Sequence, residues 1–280
     1  MGDFERDTHL EPAEGPEQPL PRYQANLSKD WEIWGPNGGY LASIALRAAG
    51  HEAAIPRPVA FAGHFLSVGR FGPTDAEVEV LRRGRSSESL RVTLSQEGKP
   101  IFVALVRTAA EVPGLEHDVA TAPVVPPPDA IEPVVWRNTY TFWNNFDVRW
   151  VKPSADERKE LDQEARAHEP HWLSWQRLRP RATFDDPFTD AARYLLLIDT
   201  LTWPAASLPH PNGAFRAPNL DVVAWFHRAD PESDWLLAEQ HCGVAEGGLM
   251  GTHGRVWSRD GRLLATGGAQ LFCVPRPPEP

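Results

Sequence analysis

Ser95-Gln96-Glu97-Gly98-Lys99 is answered 163 residues later by Ser258-Arg259-Asp260-Gly261-Arg262. Upstream of each, Phe65-Leu66 in GHFLSVG corresponds to Phe226-His227 in AWFHRAD, at an offset of 161 residues. Each half also opens with an apolar helical segment, residues 39–49 and then 190–206. One shared turn motif arises easily by chance, but shared order and spacing point to an internal duplication. The chain is therefore expected to fold as two like units, each reading helix and then several strands.

The strand patterns agree with this. Residues 76–83 (AEVEVLRR) alternate acidic and apolar side chains, 89–96 put Leu90, Val92 and Leu94 on one face, and 100–108 are rich in β-formers. Glu97-Gly98 and Asp260-Gly261 stand where tight hairpin turns need residues tolerant of positive φ. The second helical segment lies in YLLLIDTLTWPAASLPHPNGAF (194–215), which holds one acidic residue, Asp199, and no Lys or Arg. A helix that is apolar nearly all round is a buried one. Two antiparallel sheets, each wrapped on one long buried helix and joined edge to edge, make an α+β fold.

Between the halves, residues 111–135 carry six Pro and read as a semi-rigid linker, dividing an N-terminal repeat (1–110) from a C-terminal one (136–280). Residues 1–22, acidic and Pro-rich, read as a loose arm, and the charged stretch 151–181 as a surface insertion, helical around 156–167. The net charge of −10 argues against general nucleic-acid binding. No apolar run reaches the roughly 20 residues that span a bilayer, and the start of the chain lacks a signal-peptide pattern, so a soluble, cytoplasmic protein off the membrane is expected. Cys242 and Cys273 are expected to be reduced thiols. The ten His show no His-x-x-x-His pair, so no metal site is expected, and no Gly-x-Ser-x-Gly elbow, P-loop or dinucleotide fingerprint is present.

Asp199 is the outlier. Burying a carboxylate is costly unless it is paired, hydrogen-bonded or protonated. Two readings stand: a partner for an Arg from another element or part of an exposed stripe, or a general base or water-orienting group with a raised pKa.

The segment Trp31-Glu32-Ile33-Trp34-Gly35-Pro36-Asn37-Gly38-Gly39-Tyr40-Leu41-Ala42, followed by His64-Phe65-Leu66, resembles the first repeat of acyl-CoA thioesterases of the double-hotdog, thioesterase II type. Trp225-Phe226-His227-Arg228, Asp234-Trp235-Leu236-Leu237, and Asp260-Gly261-Arg262-Leu263 with Ala265 to Gln270 resemble the second repeat. The resemblance covers most of 30–108 and 190–275, and little of 111–181. It implies a double hotdog that hydrolyses acyl-CoA to a carboxylic acid and CoA without a cofactor. A helix Asp, a strand Ser or Thr and a Gln would hold the attacking water, and these fall on Asp199, Asn219 and Gln270; Asn219 departs from the family's Ser or Thr. An Asn amide still donates and accepts. The alternative is an acyl-CoA or acyl-group binding protein with a degenerate site. Further association into a homo-oligomer is frequent in the resembled family.

Gly38 and Gly39 are candidates for substrate binding through free N–H groups at a helix N-terminus, or else simply permit close packing. Gly247-Gly248 has the same two readings, and Arg82-Arg83-Gly84-Arg85 either meets the CoA phosphates or forms a solvated turn.

Overall fold

A computed structural model describes residues 1–13, 19–136, 140–154, 168–210 and 215–275. In the first half, α1 (Phe4–Asp7) and β1 (Glu11–Pro12) precede β2 (Arg22–Leu27), α2 (Gly38–Glu52), β3 (Pro58–Phe65), β4 (Gly72–Arg83), β5 (Ser87–Gln96) and β6 (Lys99–Ala109). The second half follows as β7 (Phe146–Lys152), β8 (His171–Leu178), α3 (Pro187–Thr200), α4 (Thr202–Ser207), β9 (Phe215–Arg216), β10 (Asp221–Phe226), β11 (Leu236–Glu246), β12 (Leu249–Trp257), β13 (Leu263–Gly268), β14 (Gln270–Phe272) and β15 (Val274–Pro275).

The main sheet runs β1-β2-β4-β5-β6-β3 and continues β10-β13-β12-β11-β8-β7, with β14 paired to β12. Its two halves mirror one another: β2, β4, β5, β6 and β3 stand where β8, β11, β12, β13 and β10 stand. They meet along β3 and β10, antiparallel, with His64 opposite Asp221 and Ala60 opposite Trp225. Glu97 and Gly98 turn β5 into β6 with φ of 51° and 73°, and Gly247 and Gly248 turn β11 into β12 with φ of 61° and 81°.

Both long helices are set by their ends. Asn37 caps α2 by accepting from the Tyr40 N–H at 2.9 Å, and Asp186 caps α3 from the Thr189 N–H at 2.7 Å, with Pro187 at the first helical position. Every residue of α3 from Phe188 to Thr200 is buried. The inner sheet face supplies Val78, Leu90, Val92, Leu94 and Val106 under α2, and Ala224, Val256 and Ala265 under α3, all in one core cluster.

Three expectations are corrected. The helix over 190–206 is two helices: Pro204 lacks the N–H that would continue it and its ring crowds the carbonyl four residues back, so the chain turns at Leu201. Residues 1–13 are not a loose arm: Phe4 and Leu10 are buried, Phe4 between Trp31 and Phe184 at 5.6 and 5.8 Å. The Asp7 carboxylate, moreover, accepts from Trp31 Nε1 at 3.0 Å. Part of 151–181 is β8, the strand that pairs with β11; the expected helix at 156–167 lies outside the described residues. The segment 111–135 runs over the surface between the halves and packs there. Its Ala122, Val125 and Ile131 cover Leu173, Trp175, Trp235, Leu237 and Trp257 on the outer face of the second half, and Trp175 Nε1 donates to Pro126 O at 3.0 Å.

Candidate active site

The two helices run antiparallel and very close. A Cβ on Gly39 would lie 2.8 Å from Leu196 O, and one on Gly50 would lie 2.8 Å from the Phe188 ring. Between them the Ser43 hydroxyl reaches Ala192 O at 3.3 Å. Small residues thus let the N-terminus of α2 meet the last turn of α3, and Asp199 sits at that meeting point. A Cβ on Gly38 would lie 2.9 Å from Asp199 Oδ2 and 2.8 Å from Phe65 Cζ. One half supplies the glycines and the aromatic ring, the other the carboxylate.

Asp199 is 2% exposed. Its Oδ1 accepts from Asn219 Nδ2 at 2.6 Å, and the backbone N–H of Gly39 also donates to the carboxylate. Those bonds, and the positive end of α2, favour the anion. Burial opposes them and wins, pushing the carboxyl up to about 7. The Arg-partner reading therefore fails: no cation contributes to the shift, and the carboxylate's partners are uncharged amides. A carboxyl poised near neutrality can take a proton from water at ordinary pH.

Asn219 lies just before β10, bridged to Leu271. Both of its amide hydrogens point at Asp199, to Oδ1 at 2.6 Å and to the main-chain O at 3.3 Å. Its carbonyl Oδ1 is 3.4 Å from Thr202 Oγ1, which itself donates to Asp199 O at 2.7 Å. Asn219 therefore offers a water an acceptor rather than a donor.

Gln270 is placed elsewhere. It is exposed on β14, and its inward-facing neighbours Ala269 and Leu271 are buried. Its backbone bonds Asp221 Oδ1 and Leu220 N, and none of the described hydrogen bonds joins its amide to Asp199. The buried Gln near the site is Gln240 of β11, whose Nε2 donates to Ile198 O at 2.6 Å. Its signal lies in the strand's period-two pattern, where it takes an inward position between Ala238 and Cys242. Thr202, about one helical turn beyond Asp199, is equally readable.

The remaining candidates resolve simply. Gly38 and Gly39 lie against Asp199 and Leu196; Gly247 and Gly248 form a hairpin turn. Arg83 pairs with Glu88 at 2.8 Å and donates to Glu52 O, at the far end of α2, about 20 Å along the helix from Gly38. Cys242 and Cys273 are free thiols. Among the described residues no group of three His, Cys, Asp or Glu has metal-binding geometry, and no helix is long and apolar enough to cross a membrane.

Comparison with known proteins adds to this geometry. Residues 27–109 match the family model described as the acyl-CoA thioesterase N-terminal domain, and residues 118–274 match its C-terminal domain. Acyl-coenzyme A thioesterase 8 of Mus musculus is 27% identical over 210 residues, which cover 69% of this chain and 65% of the mouse protein, just under two thirds of its length. The acyl-CoA thioesterase II TesB2 of Mycobacterium marinum superposes with a TM-score of 0.77 at 24% identity, over 99% of both chains. A hot dog fold protein of Alicyclobacillus acidocaldarius superposes with a TM-score of 0.78 at 24% identity, over 99% of this chain and 98% of that one. These two structures establish a hotdog fold.

Proposed function

The chain belongs to the acyl-CoA thioesterase family, and from that premise we propose that it hydrolyses acyl-CoA thioesters to a carboxylic acid and free CoA by means of an Asp199-activated water. Thioester hydrolysis needs a water deprotonated and aimed at the carbonyl carbon, and donors for the oxyanion that develops. The observation that carries the reading is Asp199 itself: a buried carboxyl, held up to about 7 by burial, against a helix N-terminus kept open by Gly38 and Gly39.

In this mechanism Asp199 takes a proton from water as the oxygen attacks the thioester carbon. The Asn219 carbonyl accepts the water's second hydrogen and fixes its direction. The Gly38 N–H, the first-turn donor of α2 not already bonded to Asp199 or Asn37, receives the oxyanion, aided by the helix dipole. Collapse of the tetrahedral adduct expels the CoA thiolate, which takes a proton, and the acid leaves. No cofactor enters these steps.

The reading includes the double hotdog, with a first repeat over 1–110, the Pro-rich segment 111–135 and a second repeat over 136–280. The mirrored strand order and the packing of one buried helix on each half-sheet support it. It also sets the protein in the cytoplasm, in fatty acid metabolism, which suits two free cysteines.

A panel of acyl-CoA esters of graded chain length, followed with a thiol reagent, tests the function. Catalytic CoA release from at least one ester is expected. Saturable binding with no release across the panel would instead favour an acyl-CoA binding protein.

A further inference from the structure

The last turn of α3 ends abruptly. Helix C-termini leave carbonyls without intrahelical partners, and α3 stops at Thr200, four residues before Pro204, which has no N–H to carry it on. Around Asp199 other groups fill that role. The Asp199 carbonyl accepts from Thr202 Oγ1 and Asn219 Nδ2, while the preceding carbonyl, of Ile198, accepts from Gln240 Nε2 at 2.6 Å.

Gln240 comes from β11, a different element, and is 1% exposed. Its amide lies across Gly254 of β12, where a Cβ would stand 2.4 Å from Nε2 and 2.9 Å from Oε1. The orientation of the amide is fixed, because only the nitrogen can donate to a carbonyl. The arrangement has a cost: Gln240 Oε1 is buried without a partner among the described residues. An apolar side chain of the same length would fill this volume without burying an unpartnered oxygen, but it would take the donor from the Ile198 carbonyl, so packing alone does not account for a Gln here.

We propose that Gln240 is a positioning residue for Asp199: its amide ties the last turn of α3 to the sheet and thereby fixes where the carboxylate points. The inference rests on Asp199 being the base, and it explains why the Gln that matters is Gln240 and not Gln270. The groups packed round the carboxylate from the other elements, Gly38, Gly39, Phe65, Thr202 and Asn219, are all uncharged. Any change in its titration therefore reports hydration and bonding rather than a lost ion pair.

Two variants test this in the full chain. Gln240→Met removes the donor and keeps the length; Gly254→Ala keeps Gln240 but puts a methyl where its amide now lies. Two readouts are taken on each: kcat and KM for an ester the parent hydrolyses, and the Asp199 midpoint from carboxyl carbon NMR. Both variants are expected to lower kcat about 10-fold with KM within about 3-fold. Both should also bring the Asp199 midpoint down by about one pH unit, as water reaches a loosened turn. An unchanged midpoint together with unchanged kcat in a folded variant overturns the proposal, even if Tm falls. If Gln240→Met does not fold, Gly254→Ala decides on the same readouts. If the parent releases no CoA, the proposed function fails, while the NMR titration still decides the role of Gln240.

Discussion

Replacing Asp199 with Asn should disable the protein and, at alkaline pH, stabilise it. Burial holds this carboxyl at about 7 against an ordinary 3.8. That gap corresponds to about 4 kcal/mol disfavouring the anion in the folded state. Because the folded state binds the proton more tightly than the unfolded chain, the native protein carries the extra proton between the two values. The stability tied to the neutral acid is thus fully present below about pH 4 and is lost as pH rises through about 7. The substituted amide would keep the shape and accept from Asn219, but its own N–H group would confront the Gly39 N–H, at a cost of about 1–2 kcal/mol. Urea unfolding of both proteins at about pH 5 and about pH 8.5 isolates the effect. The stability of Asp199→Asn relative to the parent should rise by about 3 kcal/mol between those conditions, giving a net gain of about 2–3 kcal/mol at the alkaline end. A relative stability that stays constant within about 0.5 kcal/mol across the two conditions would refute the reasoning, because the carboxyl would then titrate alike folded and unfolded.

Asn219→Ala removes the bond that favours the Asp199 anion, so the acid limb of kcat/KM should move to higher pH and kcat should fall about 10-fold; Gln270→Ala, exposed on β14, should leave both within about 2-fold. Steady-state kinetics across pH separates the two. Gly39→Ala would drive a Cβ to 2.8 Å from Leu196 O and 2.9 Å from its Cα, both backbone, and should cost about 1–3 kcal/mol in denaturant unfolding while parting the helices at the site. Phe4→Ala should cost about 3–4 kcal/mol by the same assay, because Phe4 is buried against Trp31 and Phe184; a truly loose arm would give almost nothing.

Much of this architecture is legible in the sequence because it is written in local chemistry. Glu97-Gly98 and the alternation of 89–96 specify a hairpin, and the charge-free run about Asp199 specifies a buried helix. Asp199 and Asn219 are legible too, and the structure joins them at 2.6 Å. Where the reading fails, the deciding contact is distant. The Phe4 arm holds only because Trp31, far along the chain, offers its ring to Phe4 and its indole N–H to Asp7. The strand β8 is hidden in a stretch whose apolar face is recognisable only once β11 lies beside it. Gln270 shows how sharply register decides function. Leu264 and Ala265 are both buried, so the local pattern does not say which parity faces inward. A one-residue difference puts Ala269 inside and Gln270 outside.

The central claim is that Asp199 deprotonates the water that cleaves an acyl-CoA thioester. Its most direct test is the pH dependence of CoA release by the parent protein beside Asp199→Asn, both verified as folded. The parent should lose kcat/KM on the acid side with a midpoint near 7, and the variant should fall by about 10²-fold in kcat and lose that limb. A folded Asp199→Asn that releases CoA at the parent rate, with the same acid limb, would contradict the account.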